Sequence, residues 1–97
     1  MSYRLSTQGL RRLFNQSVAM EARIFGERLK QLREAGGVTQ EKLAQAADLT
    51  TSFVSTLERG AKVPSLTTVL KLARGLKVDA SALLADFSYD ALRKMKL

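Results

Sequence analysis

The chain has 97 residues, 45% of them hydrophobic, with a formal net charge of +7 and a pI near 10.3. That length allows one small domain, whose folding hides only about two-thirds of the surface of the unfolded chain. Cysteine and histidine are both absent, which excludes disulfides, thiolate metal sites and the commonest general base, and no apolar run approaches the ~18 residues of a membrane span.

The charge is unevenly spread. Residues 1–20 carry Arg4, Arg11 and Arg12 with no acid, and the stretch after Phe87 sets Arg93, Lys94 and Lys96 against Asp90. Between residues 39 and 63 the charges cancel, Lys42, Arg59 and Lys62 opposing Glu41, Asp48 and Glu58. A cationic excess favours a polyanionic partner, here mainly through the two ends. The N-terminus has no apolar core of a secretory signal, so a soluble, cytoplasmic protein is expected.

Residues 1–23 begin polar and then place Leu10, Leu13, Phe14 and Val18 at spacings of three and four, one apolar stripe on a helix. Ser6 or Thr7 can cap it, although Gly9 weakens the first turn. The expectation is an N-terminal helical extension packed on the domain or on a dimer mate, with a basic arm against phosphate as the alternative; Met20 offers a second start. Residues 24–35 read as a helix with Phe25, Leu29 and Leu32 at i, i+4 and i+7 on one inward face. Glu27, Arg28, Lys30, Gln31 and Glu34 are expected to point to water. Gly36 and Gly37 end this helix, and Val38 is placed to pack back on the cap.

Residues 39–60, TQEKLAQAADLTTSFVSTLERG, hold two short helical patterns. Thr39 and Thr50 are capping residues, since their side-chain oxygens can accept an orphan backbone N–H. Gly60 stands where a left-handed C-terminal cap is easiest. Helices this short do not persist alone, so Leu43, Ala47, Leu49, Val54 and Leu57 must pack inward, with Ala44 and Ala47 small enough for close crossing. The connection is Ala47-Asp48-Leu49, with Asp48 tolerating a left-handed backbone. The second helix keeps Thr51, Ser52, Phe53, Ser55 and Thr56 outward, a face with no acid before Glu58. Such a face suits the donors and acceptors of a DNA major groove. With no Arg, Lys, Asn or Gln expected on that face, bidentate base contacts would be missing, and discrimination would fall to fit, water and site bendability.

Pro64 stiffens the next loop and pushes Val63 to an extended shape. Ser65 can cap a fourth helix whose inward face reads as Leu66, Val69, Leu70, Ala73 and Leu76, leaving through Leu76-Lys77-Val78. Asp79 reads as the cap of a short fifth helix with Leu83 and Leu84 inward. Residues 87–97 bring Phe87, Tyr89, Leu92 and Met95, enough for a final turn or two and more apolar surface than a small core absorbs. A dimer seam is the preferred use of that tail, packing on the same monomer the alternative. The expected organisation is therefore residues 1–23 as extension, 24–86 as domain and 87–97 as tail.

The TQEKLA opening, the hydroxyl cap at Thr50, the ERG ending and the PSLTTVLKLA that follows resemble the helix-turn-helix of the lambda-repressor-like, Xre/Cro-type DNA-binding family. The likeness spans about residues 24–84. It implies an all-α, compact five-helix domain, here with an extra N-terminal helix and a short C-terminal extension. It also implies that Arg33 pairs with Glu58 of the ERG motif, tying the first helix to the third, and that Gln40 meets a phosphate at its helix N-terminus, where the dipole is positive. A groove helix reads bases mainly from its N-terminal half, so Thr51, Ser52, Phe53, Ser55 and Thr56 are the expected base readers, with Phe53 either on the DNA surface or turned inside. Thr39, Gln40, Arg59 and Lys62 are the expected phosphate contacts, which position without reading sequence.

The function implied is a sequence-specific transcriptional regulator that binds a near-palindromic operator in double-stranded DNA as a homodimer, with residues 50–58 in the major groove. Small members of this kind include phage repressors and restriction–modification controllers. The alternative is an antitoxin-type protein that also holds a protein partner, a toxin or polymerase, through its terminal segments. An enzyme is not expected, since clustered carboxylates and Gly-rich phosphate loops are missing as well as histidine and cysteine. No cofactor, metal or membrane is called for.

Overall fold

The computed structural model describes residues 16–97, and among them all regular structure is helical. The elements are α1 (Gln16–Ala35), α2 (Gln40–Ala46), α3 (Thr51–Glu58), α4 (Leu66–Leu76), α5 (Ala80–Leu83) and α6 (Tyr89–Lys94). The Leu10, Leu13 and Phe14 positions and the Ser6 or Thr7 cap lie outside the described residues, as does the side chain of Val18. Where a separate helix was expected to begin at residue 24, α1 runs unbroken from Gln16, and Ala22 on it is buried.

Hydroxyl caps start four of the helices. Thr39 Oγ1 accepts from Lys42 N, Thr50 Oγ1 from Phe53 N, Ser65 Oγ from Thr68 N and Ser88 Oγ from Ala91 N. Asp79 stands at the cap position of α5 in extended backbone, but its carboxylate makes no cap bond. Four helices end alike. Val38 N donates to Arg33 O, Leu49 N to Ala44 O, Ala61 N to Thr56 O and Val78 N to Ala73 O. In each the preceding residue, Gly37, Asp48, Gly60 or Lys77, has φ between 56° and 71°. This is the left-handed exit that satisfies the last carbonyls. Val38, Leu49 and Val78 then fold back onto the core, so the exits also set the helix crossings.

Phe25, Leu29, Leu43, Ala44, Ala47, Val54, Leu57, Val69, Leu72, Ala73 and Leu83 form one buried cluster to which five helices contribute. The apolar face of α4 is narrower than expected. Leu72, not anticipated, is fully buried, whereas Leu66 and Leu70, expected inward, are 70% and 50% exposed. At about 100° per residue, Val69, Leu72, Ala73 and Leu76 cover one arc of the helix, and Leu66 and Leu70 fall beyond its edge. Leu84, also expected inward, lies past the end of α5 and is exposed.

Two glycines let helices approach. A Cβ on Gly26 would stand 2.3 Å from Leu57 O and 2.9 Å from Glu58 O, so α1 and α3 cross with backbone against backbone. One on Gly60 would stand 2.8 Å from Arg23 Cα, which seats the end of α3 against α1. Arg28, expected in water, instead grips Asp86 with two bonds, Nη2 to Oδ1 at 2.7 Å and Nε to Oδ2 at 3.1 Å. That clamp fastens the segment after α5 to α1.

Candidate nucleic-acid interface

The candidate surface is built around α3, and α3 has two unlike sides. Val54 and Leu57 are fully buried on the core side, whereas Thr51 and Ser52 are exposed and Ser55 and Thr56 half-buried on the other. Phe53 stands between these extremes: half-buried, packed against the core cluster, with Lys62 Nζ 5.7 Å from its ring centroid. A cation over the ring keeps Lys62 close to the helix.

The one acid of α3 is turned inward. Glu58 has a side chain only 3% exposed, and a carboxylate there must be paired. Arg33 supplies Nε at 2.6 Å and Nη2 at 3.0 Å, while its Nη1 donates to Val38 O at 2.8 Å. The hydrogen bond to Glu58 holds the Arg33 guanidinium above the ordinary arginine range, against the opposing effect of burial. Gln40 Nε2 adds a third donor to Glu58, at 3.1 Å. One node therefore joins the end of α1, the start of α2 and the end of α3. It also keeps negative charge off the outward face of α3. Gln40, expected at a phosphate, has one amide N–H committed to this node.

The hydroxyls of the outward face are partly committed too. Thr56 Oγ1 donates to Ser52 O at 2.9 Å and accepts from Arg59 Nη2 at 3.3 Å. Arg59 Nε donates to Ser55 O at 3.3 Å. The Arg59 guanidinium thus lies back along the helix instead of projecting beyond its end. A helical side chain leans toward the N-terminus of its helix, which places a forked donor on a face that was expected to have none. Thr39 caps α2 beside Gln40 and is exposed.

Sequence reasoning missed Gly26, the Arg28–Asp86 clamp and the Gln40–Glu58 bond. Gly26 left a signal, an isolated glycine inside a strong helical pattern. The other two join residues far apart in the chain and left none.

Two short capped helices crossing on a shared core, the second with one face open, define a helix-turn-helix protein. The chain belongs to the helix-turn-helix domain family, which matches residues 24–87. It is similar to the uncharacterized HTH-type transcriptional regulator YazB of Bacillus subtilis (strain 168), 36% identical over 64 residues that cover 66% of this chain and 93% of that one. Similarity to the control protein C.BamHI of Bacillus amyloliquefaciens is 36% over 66 residues, 67% of this chain and 80% of that protein. The solved structure of the restriction-modification controller protein C.AhdI from Aeromonas hydrophila superposes with a TM-score of 0.64 at 41% identity, covering 66% of this chain and 97% of that chain. The all-helical, lambda-repressor-like fold expected from the motif order is the fold observed. The family match leaves residues 16–23 of α1 and the whole of α6 outside it.

Proposed function

We infer that this chain is a DNA-binding transcriptional regulator, not an enzyme, which works in the cytoplasm as a homodimer with α3 in the major groove of a near-palindromic operator. The observation that supports this most is the two-sidedness of α3, with Val54, Leu57 and Glu58 sealed behind and Thr51 and Ser52 open in front. Thr51, Ser52 and Ser55 would meet base edges. Thr39, the second amide hydrogen of Gln40 and Lys62 would meet phosphates on either side. Phe53 would offer only its outer edge, because the core holds the rest of the ring. The names of the relatives, a transcriptional regulator and a control protein, agree with this reading.

A second copy is the natural cover for the apolar surface that the fold leaves open. Val63, Pro64, Leu84 and Phe87 rim a shallow groove of about 210 Å³ with Phe25 and Val69 beneath and Glu21 as its one charged lining residue. A two-fold axis lets one such patch cover itself, and the patch takes in Phe87 from the 87–97 tail expected to form a seam. Two subunits so joined would present their α3 helices to groove faces ~34 Å apart. Selection of bound duplexes from a random pool, with the mass of the selected complex, tests both points. The expected result is a symmetric motif with two chains per duplex. An asymmetric motif holding one chain would contradict the homodimer, and failure to enrich any motif at low salt would contradict the DNA reading.

A further inference from the structure

We propose that Arg59 is a base-reading residue that takes a guanine in each half-site, and that Thr56 is the residue that positions it. This assignment rests on the reading of α3 as the groove helix and adds to it the one base contact of high specificity. Arg59 closes α3 with φ −77° and ψ −4°, still right-handed, so its side chain continues the helical stripe. Ser52, Ser55 and Thr56 lie seven, four and three positions before it, on the same face.

The two helix-facing bonds of Arg59 use one edge of the guanidinium. Nε donates to Ser55 O and Nη2 to Thr56 Oγ1, both at 3.3 Å. A guanidinium has five N–H donors in a planar fork. With its side edge tied to α3, the end edge formed by Nη1 and the second Nη2 hydrogen points away from the helix. Two parallel donors on one edge match the O6 and N7 acceptors that guanine alone pairs in the major groove. None of the hydroxyls at Thr51, Ser52, Ser55 and Thr56 can make a two-bond contact of that kind. The hydroxyl of Thr56 has a fixed direction, because its proton goes to Ser52 O at 2.9 Å. Its oxygen is therefore an oriented acceptor for Arg59, so Thr56 acts on the base through the arginine and not directly.

A phosphate role and a base role differ in what they do to the selected sequence. Duplex selection is run on the full chain, on Arg59→Met and on Thr56→Val, with salt-dependent binding to the selected and to random duplexes. Both residues lie on the outward face, and thermal melting checks that each variant folds. For Arg59→Met, preference for one G·C pair per half-site falls by on the order of 10- to 100-fold while the other positions keep theirs. Thr56→Val weakens the same preference in part and leaves the rest unchanged. A motif that survives Arg59→Met intact, with all sequences weakened alike and a salt slope reduced by about one charge, overturns this assignment alone. Failure of the unaltered chain to enrich any motif overturns both the assignment and the reading it rests on.

Discussion

Glu58 brings a carboxylate into the interior, and three donors from two other helices meet it there: Arg33 Nε, Arg33 Nη2 and Gln40 Nε2. Removing one partner of such a pair leaves a buried charge without compensation, which costs about 3–5 kcal/mol. Arg33→Met should therefore lower Tm by more than ~10 °C. Adding Glu58→Leu should recover most of the loss, since an apolar pair of similar volume has no charge to desolvate. Thermal melting of the single and double variants checks this, and an unchanged Tm for Arg33→Met would show that the node carries no stability. The Arg33–Glu58 pairing was suggested by resemblance to a family, not by residue spacing. The part played by Gln40 was not legible, because a polar residue at a helix start reads equally well as a solvated or a ligand-binding one.

At the scale of the elements, the capping chemistry and the inward faces of α1, α2 and α3 were readable, and the phase of α4 was not. Thr39, Thr50, Ser65, Gly37, Gly60 and the left-handed Asp48 could be placed because capping depends on a few adjacent residues. The burial of α4 could not, since six apolar positions in eleven define a face too wide to fix by periodicity. Packing against α2 and α5 chose the arc with Leu72 and left Leu66 outside. The crossing of α1 over α3 depends on Gly26, whose replacement by alanine sets two opposed effects against each other. Helix propensity favours alanine by about 1 kcal/mol. A Cβ 2.3 Å from the Leu57 carbonyl forces the two backbones apart, and overpacking of this kind costs about 1–3 kcal/mol or more. The clash is with backbone and not with a side chain that could swing aside, so it should win. Gly26→Ala is expected to destabilise by at least ~1 kcal/mol in denaturant unfolding. Gly36→Ala, whose Cβ would meet nothing closer than 3.4 Å, should be near neutral. Equal effects at the two positions would contradict the close crossing.

At the scale of the whole molecule, the fold places polar and apolar surface so that the two do not compete. The outward hydroxyls of α3 stand at one place and the apolar groove between Val63 and Leu84 at another. The Arg28–Asp86 clamp ties the segment that carries Phe87 to the same helix that braces α3. Composition indicated a polyanionic partner but attributed it to the chain ends. The reading face proposed on α3 lies instead in a segment whose charges cancel, where shape and hydrogen-bonding groups would matter more than charge. Base reading by such a surface depends on short contacts and is lost with them, whereas charge attraction to any duplex persists. The most direct measurement is the ratio of affinities for a selected duplex and a random one, taken with the unaltered chain and with Thr51→Ala combined with Ser55→Ala. The ratio is predicted to fall by on the order of 10-fold, with random-duplex binding unchanged. Equal losses on both duplexes, or a ratio that does not move, would contradict the claim that the open face of α3 reads DNA.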